Sequence, residues 1–366
     1  MLPALTDLLP AISDREAKDP ERYPAESVDA LYGAGVVQAP LPAALGGGDA
    51  TCRDATEAIE LLATASPSLA LIACMPLGLA GCLALGGEGP DAGWTNRWRE
   101  TIERIAADFA AGKVYAACNS EKGAGGSLAA TKTLVKRDPS GSFRISGEKI
   151  LATAGEHASV FFSTAKADAS ELPGTGIVEM FFVDAHSPGV EILDDWNGFG
   201  MRSTESQGVR YSDAPVTSIM GFPNYLERIQ PVQYWYCLFA AIPLGCAKAI
   251  LTALSTPDPS SPALRMRLAE AQMRYEAMRA YLLETADGFH ASAGPAYAAR
   301  VLRTKTFVTQ EATKLCAELF ALSGGRHYTR SSAVARAFAD AFAGTALRPP
   351  LALGLDTLVE QFRAPI

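Results

Sequence analysis

The feature that most limits the fold of this 366-residue chain is a hydrophobic period that changes twice along its length. Up to about residue 113 the chain is rich in Ala and Leu, with Glu57, Glu60 and the polar positions of 97–108 set between apolar ones, as amphipathic helices require. From about 114 to 222 it breaks into short runs at 131–137, 143–150, 160–163, 177–183 and 190–193, bounded by Gly, Pro and Asp. The helical period then returns. Leu268, Ala271, Tyr275, Met278 and Leu282 form one stripe, with Glu270 and Arg274 placed to pair on its solvated side. Val301, Val308, Leu315, Leu319 and Leu322 form a second, ended by Gly324-Gly325. The order predicts an α+β protein with an N-terminal helical domain (1–113), a middle β-sheet domain (114–222) and a C-terminal helical bundle (223–366). Pro257, Pro259 and Pro262 mark a loop between two helices of that bundle.

Charge and composition remove several classes of partner. The net charge of −8 contains no long block of either sign, so neither nucleic acid nor an anionic membrane is expected to bind. Residues 68–85 are as long and uncharged as a minimal membrane span of roughly 17–25 residues. Pro76 interrupts that run, Gly78 and Gly81 weaken it and no basic cluster flanks it, so buried helices are expected there. The seven cysteines lack CxxC or other metal-ligand spacing and read as reduced, buried side chains. With no basic residue before Asp7, a cytoplasmic location is expected. His157, His186, His290 and His327 show no ligand spacing, and no metal is expected.

Two segments carry chemistry. In SEKGAGGS at 120–127, adjacent glycines let backbone N–H groups approach a pyrophosphate, while small hydroxyls donate to polar ring edges. Alone, such an octapeptide reads as a surface loop, but SGEKILATAG at 146–155 follows it at short distance, in a strand that would present alternate side chains to one face. These segments, the Ala39-Pro40 to Gly46-Gly47-Gly48 turn and FGMRSTESQGV at 199–209 resemble the acyl-CoA dehydrogenase family of flavoproteins, over nearly the whole chain.

The resemblance implies FAD as cofactor, an acyl-CoA or other small-molecule substrate, and a homodimer or homotetramer with flavin at the subunit boundary. It makes Ser120, Gly125, Gly126 and Ser127 cofactor-binding, with Ser127 offering the hydroxyl that Gly126 lacks. Leu151 takes the place of the usual aromatic against the flavin ring, and Thr153 places its hydroxyl near the flavin N5 edge; the plainer role for Thr153 is a β-branched strand residue. Gly324 and Gly325 complete the cofactor set. The 199–209 segment is read as topological.

The pattern fails at the base that removes the substrate α-proton. Counting from Gly324-Gly325 puts Arg348 at the family's glutamate, whereas matching Gly344-Thr345 puts Ala343 there; Asp340 fits the Asp of the family's Arg-Asp pair and Ala339 replaces its Arg. At the family's alternative position, before Pro243-Leu244-Gly245, stand Trp235 and Tyr236. Residues 254–262 lack the arginine that usually reaches the partner subunit's pyrophosphate, and Ala321 replaces a glutamine, so weak flavin retention is expected unless Arg326 or Arg330 compensates. Three readings follow: an FAD-dependent oxidoreductase acting on CH–CH of an acyl thioester with a non-standard base, a flavin-dependent monooxygenase of the same fold, or a non-catalytic member.

Overall fold

A computed structural model describes residues 1–290 and 294–363. Helices α1 (Leu2–Lys18), α2 (Ala25–Gly33), α3 (Cys52–Ala65), α4 (Pro67–Ala84) and α5 (Ala92–Ala110) come first. Strands β1 (Tyr115–Ala117), β2 (Leu134–Arg137), β3 (Phe143–Ala152), β4 (Val160–Ala167), β5 (Glu179–Asp184), β6 (Val190–Leu193), β7 (Gln207–Pro215) and β8 (Ser218–Ile219) follow. The chain then returns to helix in α6 (Tyr225–Ile229), α7 (Val232–Ser255), α8 (Pro262–Asp287), α9 (Pro295–Leu322), α10 (Ala333–Ala341), α11 (Ala343–Ala346) and α12 (Leu351–Arg363).

The α+β order is the predicted one, and side-chain capping explains several helix starts. Thr51 and Asp54 form a reciprocal capping box at α3, and Ser66, Asp91, Ser261 and Ser332 cap α4, α5, α8 and α10. The stripe of α8 is buried as expected, but Arg274 pairs with Glu318 of α9 while Glu270 pairs with Arg267. On α9 the stripe holds except at Leu322, which is exposed at the helix end.

Helix α4 runs unbroken through Pro76, where the sequence predicted an interruption. Its packing against α7 explains the two glycines in the same run. Trp235 of α7 donates its indole N–H to the Cys74 carbonyl at 3.0 Å, and a Cβ on Gly78 would lie 2.1 Å from that indole nitrogen. A Cβ on Gly81 would lie 2.2 Å from the Tyr234 ring. The two glycines are where α7 approaches α4. Both helices are long and apolar enough to cross a membrane, yet 94% and 72% of their most apolar windows lie inside the protein, so core burial accounts for their composition.

The strands form one sheet in the order β6-β7-β3-β2-β4-β5-β8, with β1 beside β4. β4 pairs in parallel with β1 and β2, and the other pairings are antiparallel. The predicted strand at 131–137 begins only at Leu134, because the N–H groups of Lys132 and Thr133 are committed to the Glu121 carboxylate. Likewise Ile177 precedes β5, its N–H donating to Glu227. All seven cysteines are free and buried, as expected.

Candidate active site

The motif segments are joined by a buried ion pair. Glu121 accepts from Lys149 Nζ and Thr133 Oγ1 at 2.7 Å, from the Thr133 N–H at 3.1 Å and from the Lys132 N–H at 2.7 Å. Burial alone would raise this carboxyl; the Lys149, Thr133 and Lys132 donors override it and hold the group down at about 2. Lys149 also donates to the Thr164 carbonyl at 2.6 Å, so one ammonium ties the 120s loop to β3 and β4. Gly147 belongs to the same arrangement: with φ +153 and no Cβ, it lets Thr133 Oγ1 approach where a Cβ would stand 2.4 Å away.

At the end of β3 the pairing with β7 slips between Lys149 and Ala152, and Leu151 takes φ +59. Such an irregularity re-aims the following side chains. It delivers Thr153, buried, into a cavity of about 370 Å³ between the sheet and the C-terminal helices. Ser120, held by the Ile150 N–H on its carbonyl, and Leu151 line the same cavity. Of the predicted cofactor-binding residues, these three come together. Gly125, Gly126, Ser127, Gly324 and Gly325 are not among the lining residues.

Gly126 has a different neighbour. A Cβ there would lie 2.4 Å from Pro350 Cδ, so the C-terminal segment occupies the space its missing side chain leaves. Gly125, at φ +58, has open space at that position, and Gly324 and Gly325 are open as well.

The cavity also includes residues the sequence reading missed. Ser206 lies in it, its hydroxyl 3.4 Å from that of Thr153 and 2.8 Å from that of Thr204, which donates to the Met201 carbonyl. The 199–209 segment therefore supplies a wall, with Phe199, Gly200 and Met201, and is more than a topological link. Its signal was the spacing of small hydroxyls in RSTES. Asn119, beside the recognised motif, accepts the Thr164 N–H on its side chain.

Both readings of the base position are on the wall: Ala343 and Arg348 each line the cavity, as do Trp235 and Tyr236. No Asp, Glu or His is among the lining residues. A larger space of about 770 Å³ between α1, α3, α7, α8 and α10 holds Glu57, Glu60 and Arg279, which pair with one another, and Glu60 also accepts from Tyr275. Asp340 borders it, but none of the predicted cofactor-binding residues does, whereas Ser120, Leu151 and Thr153 line the smaller cavity, which is therefore the candidate site.

Asp340 braces the site from behind. It is buried on α10 and accepts the Met201 N–H at 2.5 Å, while burial pushes its carboxyl up to about 7. Between its ordinary value of 3.8 and about 7, the folded chain holds a proton that the unfolded chain releases, so stability falls as pH rises through that window. Asp340→Asn is expected to melt with the wild type at pH 4 and above it at pH 8, by up to about 4 kcal/mol; thermal melts at the two pH values check this.

The Arg326–His327 side-chain bond and the 3.0 Å approach of His327 to Ser332 account for the histidine beside the glycine pair. The site's polar edge (Thr153, Ser206, Ser120) and flat aromatic walls fit a flavin ring.

Comparison with known proteins agrees with this geometry. Residues 116–214 match the middle domain of acyl-CoA dehydrogenases, and residues 237–347 match their C-terminal domain. L-evernosamine nitrososynthase of a Micromonospora species is 31% identical over 216 residues, 58% of this chain but only about half (48%) of that enzyme's length. The amino sugar nitrososynthase of Streptomyces peucetius is 25% identical over 95% of this chain and 89% of its own. The structure of KijD3 with FMN and a dTDP-linked keto amino sugar superimposes with a TM-score of 0.85 over 98% of this chain and 92% of that one, at 24% identity, a likeness of fold. The chain belongs to the acyl-CoA dehydrogenase family of flavin-dependent oxidoreductases.

Proposed function

We propose that this protein is a flavin-dependent monooxygenase acting on a small molecule in the 370 Å³ cavity, rather than a dehydrogenase of acyl thioesters. One observation carries the reading: no Asp, Glu or His is among the residues lining the cavity, and the two base positions hold Arg348 or Ala343 and Trp235 with Tyr236. A guanidinium does not accept a proton at ordinary pH, and a thioester α-proton needs a positioned acceptor. Similarity to nitrososynthases supports the same direction.

Bound flavin, once reduced, supplies oxygen activation. The chain's own part is to hold and to exclude. Thr153, Ser120 and Ser206 would offer hydroxyls to a flavin held in this cavity, Leu151 would pack against it, and Phe162, Met180, Trp235 and Phe239 line the rest with apolar surface that excludes water.

Flavin-loaded protein mixed anaerobically with a panel of acyl-CoA thioesters is expected to keep its oxidised absorption band. With reduced flavin and oxygen it is expected to release hydrogen peroxide more slowly than free flavin does. Bleaching of the band by any thioester overturns the proposal.

We also propose that the flavin is exchangeable and that its adenylate half contributes little. No cation stands in 254–262, Ala321 offers no amide, and Pro350 fills the space at Gly126. FMN and FAD are expected to bind with dissociation constants within about tenfold of each other, since no charge-assisted pair of roughly 1.5–3 kcal/mol favours the longer cofactor. Fluorescence titration with each flavin checks this; a preference for FAD of a hundredfold would contradict it.

A further inference from the structure

We propose that Arg348 receives an oxygen anion of the substrate, a carboxylate or phenolate on a small, largely apolar molecule, and so fixes which substrates the cavity accepts. This rests on the reading of the 370 Å³ cavity as the active site.

The argument starts from an unbalanced cation. Arg348 lines the cavity, and one of its nitrogens, Nη2, donates to the Asn119 carbonyl at 3.4 Å. The other, Nη1, is buried and has no hydrogen-bond partner among the described residues. A buried donor left unmade is costly, and a buried charge without a counter-ion is more so. No carboxylate lines the cavity to supply one. Glu121, whose charge acts on Arg348, is already engaged by Lys149, Thr133 and Lys132. The counter-charge of the guanidinium therefore has to arrive from outside the chain, through the part of the side chain that faces the cavity.

The backbone that carries the arginine is fixed for that purpose. Lys305 is buried, and its ammonium donates to the carbonyls of Gly344, Leu347 and Pro349 at 3.1, 2.7 and 2.7 Å. Two of these flank Arg348 directly, so Lys305 is a positioning residue that holds the guanidinium in place. All three ammonium donors are used, which leaves Arg348 as the cation with capacity for a ligand.

The walls define the rest of the ligand. Tyr236, Phe239, Phe342 and Leu347 line the same cavity with aromatic and aliphatic surface. A space of this volume that must also take a flavin ring leaves room for a molecule of about one ring. A planar molecule with an anionic oxygen satisfies both the walls and the guanidinium charge.

The test uses ligand pairs that differ in charge but little in shape: benzoate against benzamide, and 4-nitrophenolate against 4-nitroanisole at pH 8. Each is titrated calorimetrically into full-length protein, with and without saturating FMN. The wild type is expected to bind the anion of at least one pair about tenfold or more tighter, and the pair that separates identifies carboxylate or phenolate. In Arg348→Met the preference should shrink to within about twofold while the neutral ligand binds as before, and Arg348→Lys should retain part of it. Arg348→Met removes an uncompensated buried charge and is expected to melt no lower than the wild type. Equal binding of anion and neutral analogue by the wild type, or a preference that survives in Arg348→Met, overturns the proposal. Because the titration needs neither oxygen nor turnover, an anion preference can persist if monooxygenase activity is absent, and the two proposals fail separately.

Discussion

Replacing Lys149 by methionine is expected to lower stability by about 3–5 kcal/mol, the range for stripping one partner from a buried ion pair. Lys149 is fully buried, and its ammonium is the cation on Glu121, whose other donors are Thr133 and the Lys132 N–H. Without it the carboxylate stays buried and negative with only neutral donors, so its pKa climbs from about 2 toward or beyond the ordinary value. The damage also reaches function, because Glu121 anchors the loop carrying Ser120 to the strand that leads into Thr153. FMN affinity should fall with the melting temperature. Adding Glu121→Gln to Lys149→Met should recover part of the loss, since the stranded charge is then gone. A double variant no more stable than Lys149→Met would show that the pair is not what holds the loop.

Gly78→Ala carries the second large effect. The added methyl would sit 2.1 Å from the Trp235 indole nitrogen and 2.3 Å from its Cε2, far inside any real contact. The indole cannot yield freely, because it is buried and bonded to the Cys74 carbonyl on the same helix. Overpacking of this kind costs about 1–3 kcal/mol, to which the strained indole bond adds roughly another 1. Trp235 lines the cavity, so a displaced indole narrows it. Weaker FMN binding and a changed near-ultraviolet dichroism of the tryptophans should accompany the lower melting temperature. Pairing the change with Trp235→Leu should relieve both.

These expectations depend on features the sequence revealed unevenly. The helix–sheet–helix order was legible because period is a local property, and Leu268 to Leu282 behaved as their spacing implied. Strand limits were less legible wherever a side chain competed for backbone. Lys132 and Thr133 look like strand residues, but their N–H groups go to a carboxylate eleven and twelve positions earlier. Gly78 reads as a breaker because the contact that requires it, the Trp235 ring, lies more than 150 positions away. Of the residues that motif matching proposed, Ser120, Leu151 and Thr153 line the cavity. The matching passed over Ser206 and the 199–201 wall, whose role comes from tertiary placement. Gly126 was matched to the family's flavin motif, but its missing Cβ serves Pro350. Arg348 and Ala343 competed for one position in the sequence, and in the folded chain both face the cavity.

The contact of Pro350 with Gly126 has a consequence for how the protein is made. The loop bearing the flavin motif, residues 120–127, emerges from the ribosome well before residues 344–350, and its hydrogen bonds to Lys132, Thr133 and Lys149 can form soon afterwards. Its packing against Pro350, the Lys305 grip on residues 344–349 and the Arg348 wall must wait until a stretch more than 200 positions further along has been made. A growing chain therefore holds the cofactor loop formed but uncovered while those intervening residues are added, and any flavin captured in that interval meets a site open on one side.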